Sequence, residues 1–361
     1  MTETAVAMSG LASEKIWLAS YPPETPADIG PLSYASLNDM LENACAQFGS
    51  RTIFSSLGKA LTYTEFDRAT RQVATWLQAA GLKKGDRVAV MMPNVLQNPV
   101  VTFGILRAGM VVVNVNPLYT PRELEHQLTD AGAKVIFVLE NFAHTVQHVL
   151  PTAGLTHVVV TSMGEMLGLK GLLVNFVVRK IKKLVPAWTI AGHIPFRKVM
   201  ETSPDTYAKP SIVASDIAFL QYTGGTTGVS KGATLTHANI IANVEQNTLW
   251  MNAAFLGRQR PEQLTFICAL PLYHIFALTV NAVMGIKLGA HNVLIANPRD
   301  IPAFIKELKQ HKFHVFPGLN TLFNGMMNNP DFTSVDFSHL VLTFGGGMAV
   351  QKPVAERWKK I

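Results

Sequence analysis

Nine short apolar runs, rich in valine and isoleucine, constrain this chain more than any other feature. They are Arg87–Met92, Val111–Val115, Val135–Leu139, Val158–Thr161, Ile217–Gln221, Thr265–Leu270, His291–Ala296, Phe313–Phe316 and Leu340–Phe344. Runs of four to six residues without strict alternation suit strands buried on both faces. Longer amphipathic segments lie between several of them. In the clearest, Thr62 and Glu65 have the spacing of a capping box. Phe66, Ala69, Val73, Trp76, Leu77 and Ala80 then recur at helical spacing, and Gly81 ends the pattern. Further helices are expected at Ser36–Phe48, Pro121–Ala131, His237–Trp250 and Ile301–Gln310. Strands alternating with helices predict α/β architecture with multilayered, mostly parallel sheets flanked by helices. The less periodic stretch from Met163 to Pro210 reads as a connector, which divides the chain into approximate subdomains 30–210 and 211–361.

The 361 residues are 48% hydrophobic and 15% charged, which excludes a disordered chain. Thirty-one Lys and Arg against 24 Asp and Glu give a net charge of +7, a balance compatible with anionic small molecules or an anionic membrane surface. No long basic tract with interleaved aromatics and no zinc-finger spacing is present, so nucleic acid is not an expected partner. Two cysteines, Cys45 and Cys268, cannot build a disulfide framework and suit a reducing compartment. The first residues lack a basic region followed by a long apolar stretch, so no secretory signal is read there. The most apolar window, Ile267 to Ile286, contains Pro271, His274 and Asn281, and is read as a buried strand followed by a helix.

The run from Ile217 leads into Thr223-Gly-Gly-Thr-Thr-Gly-Val-Ser-Lys231. Gly224, Gly225 and Gly228 let backbone turn sharply and approach a ligand closely. Successive N–H groups can then face phosphate oxygens. Thr223, Thr226, Thr227 and Ser230 add hydroxyls, and Lys231 adds a cation. The Walker A spacing fails because Lys231 follows Ser230 and precedes Gly232, and no dinucleotide fingerprint can be drawn. From the residues alone, a phosphate cradle and an ordinary Gly/Thr turn both remain open. His274, in Pro271-Leu-Tyr-His-Ile-Phe276, could meet a carboxylate or be a satisfied core histidine. Gly345, Gly346 and Gly347 follow a predicted strand, where they permit either a close ligand approach or a helix-initiating turn.

Taken together, Tyr222 to Lys231 resembles the signature loop of the adenylate-forming superfamily, which comprises acyl-CoA synthetases, luciferases and peptide-synthetase adenylation domains. Ser230 stands where that pattern usually has Pro or Ala. Pro271–Phe276 resembles the second core motif, in which the residue at His274 lies beside the acyl carboxylate. Gly345–Val350 is similar to the segment against the adenine ring, and Phe316-Pro-Gly-Leu-Asn-Thr321 to a stretch lining the acyl pocket. Met91–Asn94, Gly104–Gly109, Val113–His126 and Ala296–Asp300 look like the bacterial long-chain fatty acid–CoA ligases, and the likeness runs from Ile16 to Trp358.

The resemblance implies the large N-terminal, AMP-binding domain of the adenylate-forming fold over 1–361. It implies lipid metabolism: a fatty acid attacks the α-phosphate of ATP, and CoA then displaces AMP. It assigns catalysis to His274, Thr226 and Lys231, and nucleotide contacts to Thr223–Gly228, Ser230, Lys231 and Gly345–Gly347. It places Tyr273, His274, Phe316, Gly318 and Asn320 at the substrate pocket, and Mg²⁺ near Thr226 through the phosphates. It also predicts a Tyr-Gly-x-Thr-Glu motif, a Thr-Gly-Asp motif, a hinge and a C-terminal lid with a lysine, none of which occurs before Ile361. The end, Glu356–Ile361, reads as an interrupted helix. The expectation is therefore an incomplete ligase that adenylates poorly or not at all alone, or else a non-catalytic module with weak nucleotide or acyl binding. The expected location is cytoplasmic. Peripheral contact with the inner face of an anionic membrane is expected through 171–185, where Leu173, Val177, Ile181 and Leu184 oppose Asn175, Arg179, Lys182 and Lys183 on a helix.

Overall fold

The computed structural model describes residues 15–223 and 230–361. Two sheets organise them. One contains, in spatial order, β13 (Leu342–Gly345), β12 (Val315–Gly318), β10 (Thr265–Cys268), β11 (His291–Leu294), β1 (Thr52–Ser56) and β2 (Lys59–Thr62). The other contains β7 (Ile194–Pro195), β6 (His157–Thr161), β5 (Ala133–Leu139), β3 (Arg87–Met91), β4 (Val111–Asn114), β8 (Ile217–Thr223) and β9 (Lys231–Thr236). All pairings are parallel except β1 with β2 and β8 with β9.

Each of the nine apolar runs contributes to a strand. β1, β2, β7 and β9 are additional, and their sequences explain why they are hard to read. β1 and β2 form a hairpin that turns through Leu57 and Gly58, both at positive φ (50° and 77°). β9, Lys-Gly-Ala-Thr-Leu-Thr, is a largely solvent-facing edge strand with no apolar run. The sheets do not divide the chain at residue 210. β1 and β2 join the later strands, whereas β8 and β9 join the earlier ones.

The layers run helix, sheet, helix, sheet, helix. A shared core between the sheets unites Phe54 and Phe266 of one with Val90 and Phe137 of the other, around Phe66, Phe103 and Ile286 from helices. Outside the second sheet, Leu124, Leu128 and Val146 pack on Ile136 and Val138. Outside the first, Phe304, Phe323 and Val354 pack on Ile267, Val293 and Phe316. The helix Gln97–Arg107 is buried at every position, so it carries no polar face and no amphipathic period to detect. The capping box of Thr62 and Glu65 forms, and a second one joins Thr120 to Glu123 at the start of Pro121–Ala131. The window Ile267–Ile286 is β10 followed by a buried helical stretch, π-helical over Leu278–Val283. Among the described residues no helix is long and apolar enough to cross a membrane. Neither cysteine is paired.

The expected amphipathic helix takes a different course. It is α-helical over Leu169–Phe176, becomes π-helical over Val177–Ile181, and ends near Lys183 at a φ of 49°. The change of pitch rotates the later side chains away from the straight-helix arrangement. Arg179 is also not free to face a membrane, because its guanidinium holds the buried Glu140 in a paired contact at 2.8–3.0 Å.

One buried histidine ties helix to helix. His237 Nδ1 accepts the Leu37 N–H at 3.1 Å, which requires a neutral ring. Burial pushes its pKa down to about 4, against weaker opposing effects of Asp216 and Asp39. An unfolded histidine near 6.5 binds its proton first, so this contribution is present above that value and is lost as pH falls from 6.5 toward 4. The expected loss is roughly 3 kcal/mol. Urea midpoints across this range should show it, and His237→Gln should flatten the slope. An unchanged slope would contradict this reading.

Candidate functional site

β8 and β9 pair in antiparallel register, with Thr223 opposite Lys231 and Tyr222 opposite Gly232. They form the neck of the glycine-rich loop. Gly224, Gly225, Thr226, Thr227 and Gly228 lie outside the described residues. Three contacts fix the neck. Ser230 Oγ donates to the Thr223 carbonyl at 2.8 Å, so the hydroxyl ties the two sides together. The ring of His126 meets the Ser230 carbonyl through Nε2 at 2.9 Å. The Tyr222 phenol donates to Asp130 at 2.5 Å; burial and this carboxylate raise its pKa above the usual tyrosine range. A Cβ on Gly232 would stand 2.9 Å from the Tyr222 ring, so glycine is what lets that ring lie across the neck. His126 and Asp130 are four residues apart on the helix Pro121–Ala131 and therefore share a face. Sequence reasoning missed both, since nothing in their spacing points to a strand a hundred residues away. Lys231 and Thr223 are exposed.

The neck connects physically to the histidine segment. Gln221 Nε2 donates to the Tyr273 carbonyl at 2.8 Å, and its Oε1 accepts from Asn114 at 3.1 Å. Asn94 fixes the same segment from the end of β3. Its amide donates to the Cys268 and Leu270 carbonyls at 3.0 and 2.9 Å, and its oxygen accepts the Leu272 N–H at 2.9 Å. The Tyr273 and His274 rings lie 4.6 Å apart, centroid to centroid. His274 stays accessible, yet enough protein surrounds the ring that desolvation lowers its pKa. Burial raises that of Tyr273, with Arg299 opposing it.

The glycine turn completes the chain of contacts. Gly318 and Gly345 are partners across β12 and β13, and the Gly346 N–H reaches the Gly318 carbonyl at 3.3 Å. A Cβ on Gly346 would lie 2.8 Å from the Phe276 ring, and one on Gly345 would lie 2.4 Å from Val350. Gly347 adopts a φ of 74°. Phe316 sits elsewhere: it is fully buried among Phe304, Phe313, Phe323 and Trp358, so its ring is committed to the core. Asn320 is also buried, and its oxygen accepts the Gln351 N–H at 2.9 Å, which anchors the segment after the glycine turn.

Two cavities open beside this assembly. One, of about 440 Å³, runs between helix His237–Ala254 and Ile275–Val280, with Ile240, Phe276 and Val280 among its apolar walls and Asn239 and Asn243 on its rim. The other, of about 260 Å³, lies beyond the carboxyl ends of strands from both sheets, next to Tyr273, Asn94 and Arg299. Crevices at the carboxyl ends of parallel strands are where α/β sheets place ligands. Among the described residues no group of three or more His, Cys, Asp or Glu could hold a metal ion.

A two-stranded neck, a histidine after a parallel strand and a glycine turn against the Phe276 ring are thus gathered on one α/β fold. The sequence matches the AMP-binding enzyme family over residues 41–361, and the chain belongs to that family. Within it, the chain is 52% identical over 351 residues to a long-chain-fatty-acid–CoA ligase of Escherichia coli O157:H7, covering 96% of this chain and 62% of the relative. It is 33% identical to the Bacillus subtilis (strain 168) ligase of the same description, with 97% and 62% covered. The chain thus spans 62% of the length of these relatives. Its fold is that of an anthranilate CoA ligase solved with anthranoyl-AMP (TM-score 0.76, 22% identity, 91% of this chain and 58% of that one). It is also that of a long-chain-fatty-acid–CoA ligase from Archaeoglobus fulgidus (TM-score 0.74, 22% identity, 91% and 61%).

Proposed function

We propose that these residues form the nucleotide- and acid-binding part of a long-chain fatty acid–CoA ligase. The observation that carries the proposal is the unbroken contact path from Gln221 at the loop neck, through Tyr273 to Phe276, to Gly346 and Gly318. Three segments far apart in sequence are held as one unit, as a reaction joining a carboxylate to a nucleotide requires. In this reading Thr226 and Lys231 bind the ATP phosphates, with Thr223, Ser230 and the loop glycines shaping the cradle. Gly345–Gly347 lie against the base. The apolar groove beside Phe276 takes the acyl chain, and His274 faces its carboxylate. The fatty carboxylate attacks the α-phosphorus, pyrophosphate leaves, and CoA thiol then displaces AMP. The work of the chain's residues is positioning and charge stabilisation. Mg²⁺ would enter with ATP as part of the substrate, near Thr226 through the phosphates, and would share in stabilising their charge.

The experiment is pyrophosphate release from ATP with oleate by the purified chain, with acyl-adenylate trapped by hydroxylamine. Release that depends on both substrates and collapses in Lys231→Ala and His274→Ala supports the ligase reading. Saturable ATP or oleate binding with no release favours the alternative, a binding module without turnover. Absence of both binding and release would overturn either.

The reading extends to a peripheral contact with an anionic membrane on the cytoplasmic side. It is supported by Leu169, Leu172, Leu173 and Phe176, which are 54–90% exposed on one side of their helix. Exposed apolar side chains beside Lys180, Lys182 and Lys183 suit an interface better than water.

A further inference from the structure

The helix Leu169–Phe176 is mounted by its small and polar side. A Cβ on Gly171 would stand 1.9 Å from the Gly164 carbonyl oxygen, and one on Gly164 would stand 2.2 Å from that of Gly171. Asn175 completes the mount: its oxygen accepts the Gly164 N–H at 2.8 Å and its amide donates to Ser162 Oγ at 2.9 Å. An amphipathic helix on a globular body normally buries its leucines. Here the glycine and asparagine face inward, and the leucines are left outside.

Behind this helix lies a cleft of about 590 Å³, with the exposed Leu172 in its lining. Its two carboxylates are already engaged. Glu140 is paired with Arg179, and Glu165 accepts the Thr161 hydroxyl at 2.8 Å, the Ser162 N–H at 3.2 Å and the Arg197 N–H at 3.0 Å. Among the described residues, the Arg197 guanidinium, the Trp188 indole N–H and His193 Nε2 make no hydrogen bond to protein, although all three residues line the cleft. His193 uses only Nδ1, toward the Ile190 carbonyl at 2.9 Å. The surrounding stretch 166–200 carries seven Lys and Arg and no Asp or Glu.

We infer that this cleft binds the phosphate of a phospholipid headgroup, with the lipid's acyl chains leaving past Leu172 toward the exposed leucines. The guanidinium and the indole N–H supply donors for phosphate oxygens, and His193 adds one at Nε2 only as imidazolium, because its Nδ1–H is given to the Ile190 carbonyl. The apolar rim matches the hydrocarbon chains that a lipid phosphate carries and a free phosphate ion lacks. Tryptophan at the boundary of polar and apolar zones fits the headgroup level of a bilayer. The cleft lies at the edge of the second sheet, apart from the loop neck and from His274. The inference rests on the membrane reading above and gives it a specific headgroup contact.

The test is co-sedimentation of the purified chain with phosphatidylcholine vesicles with and without phosphatidylglycerol. Binding to the phosphatidylglycerol vesicles is expected for the parent chain. Arg197→Gln combined with His193→Gln should weaken it about tenfold, the scale of losing charge-assisted hydrogen bonds. Leu172→Gln combined with Leu173→Gln should abolish it. Should the Arg197/His193 variant fail to fold, Trp188→Phe keeps an aromatic side chain, removes the indole donor, and should also weaken binding. Cleft variants that bind like the parent while the leucine variant does not would overturn the headgroup site and leave the membrane contact standing. A parent chain indifferent to vesicles would overturn both. Inorganic phosphate or glycerol phosphate that binds alone and displaces the chain from vesicles would overturn the lipid assignment in favour of a soluble phosphate.

Discussion

Replacing Arg107 with alanine is expected to lower the folding stability by roughly 3 kcal/mol or more. The Arg107 side chain is fully buried. It donates to Thr70 Oγ1 at 2.9 Å, is paired with Asp67, and reaches Glu42 at 3.5 Å. Its backbone carbonyl accepts from the Tyr207 phenol at 2.9 Å. One cation thus joins the helices Leu37–Phe48, Tyr63–Ala79 and Gln97–Arg107 inside the core between the sheets. Removing it leaves a void and two carboxylates without their buried partner. Arg71 at 2.9 Å from Asp67 and Lys209 at 2.6 Å from Glu42 still hold the charges, and both acids are about a quarter exposed, which places the effect at the lower end for a broken buried pair. Arg107→Lys should recover only part, because an ammonium cannot serve three directions in a plane. Urea denaturation followed by circular dichroism measures this. A loss below about 1 kcal/mol would show that the neighbouring cations suffice.

Asn94→Leu should have a comparable effect on stability and a larger one on the site. Asn94 is buried, and its side chain makes three hydrogen bonds to the stretch Cys268–Leu272. Leucine has similar bulk but leaves the Leu270 carbonyl and the Leu272 N–H without their partner, whereas the Cys268 carbonyl keeps the Ile295 N–H at 3.0 Å. At about 1–3 kcal/mol for each buried group left unsatisfied, the expected cost for these two is roughly 2 kcal/mol or more. These bonds also join the end of β3 in one sheet to the segment after β10 in the other, directly before Tyr273 and His274. Any acid-dependent pyrophosphate release should therefore fall further in Asn94→Leu than the loss of folded protein accounts for. A fall matching the folded fraction would make Asn94 purely structural. Asn94→Asp separates the contributions, because it keeps the acceptor for Leu272 and faces two carbonyls with an oxygen.

Segments of the chain differ in how far their structure is legible in their own residues. The apolar runs were legible because parallel strands covered on both faces must be hydrophobic throughout. The helix Tyr63–Ala79 was legible because its cap and its period are local. Gln97–Arg107 was not, since full burial removes the contrast on which periodicity depends. β9 was not, since its order comes from pairing with β8 and not from its own composition. At the site, the glycine loop, His274 and the glycine turn were visible as residue types suited to phosphate, carboxylate and close approach. Phe316, grouped with them by its neighbours in sequence, belongs to the aromatic core instead. The residues that position the site, His126, Asp130, Asn94 and Gln221, were silent because their partners lie 52 to 178 residues away.

The amino-acid sequence by itself determined the α/β class, the strand that runs into a glycine-rich loop and the membership of the AMP-binding family, because these depend on local pattern and short spacing. The tertiary structure decided which sheet each strand joins, how three distant motifs come into contact, and which side of the helix Leu169–Phe176 faces out. That last outcome could not be read from the helix alone. A period of 3.6 residues marks two faces but not which one the body covers, and here the close approach of Gly164 and Gly171 decides it.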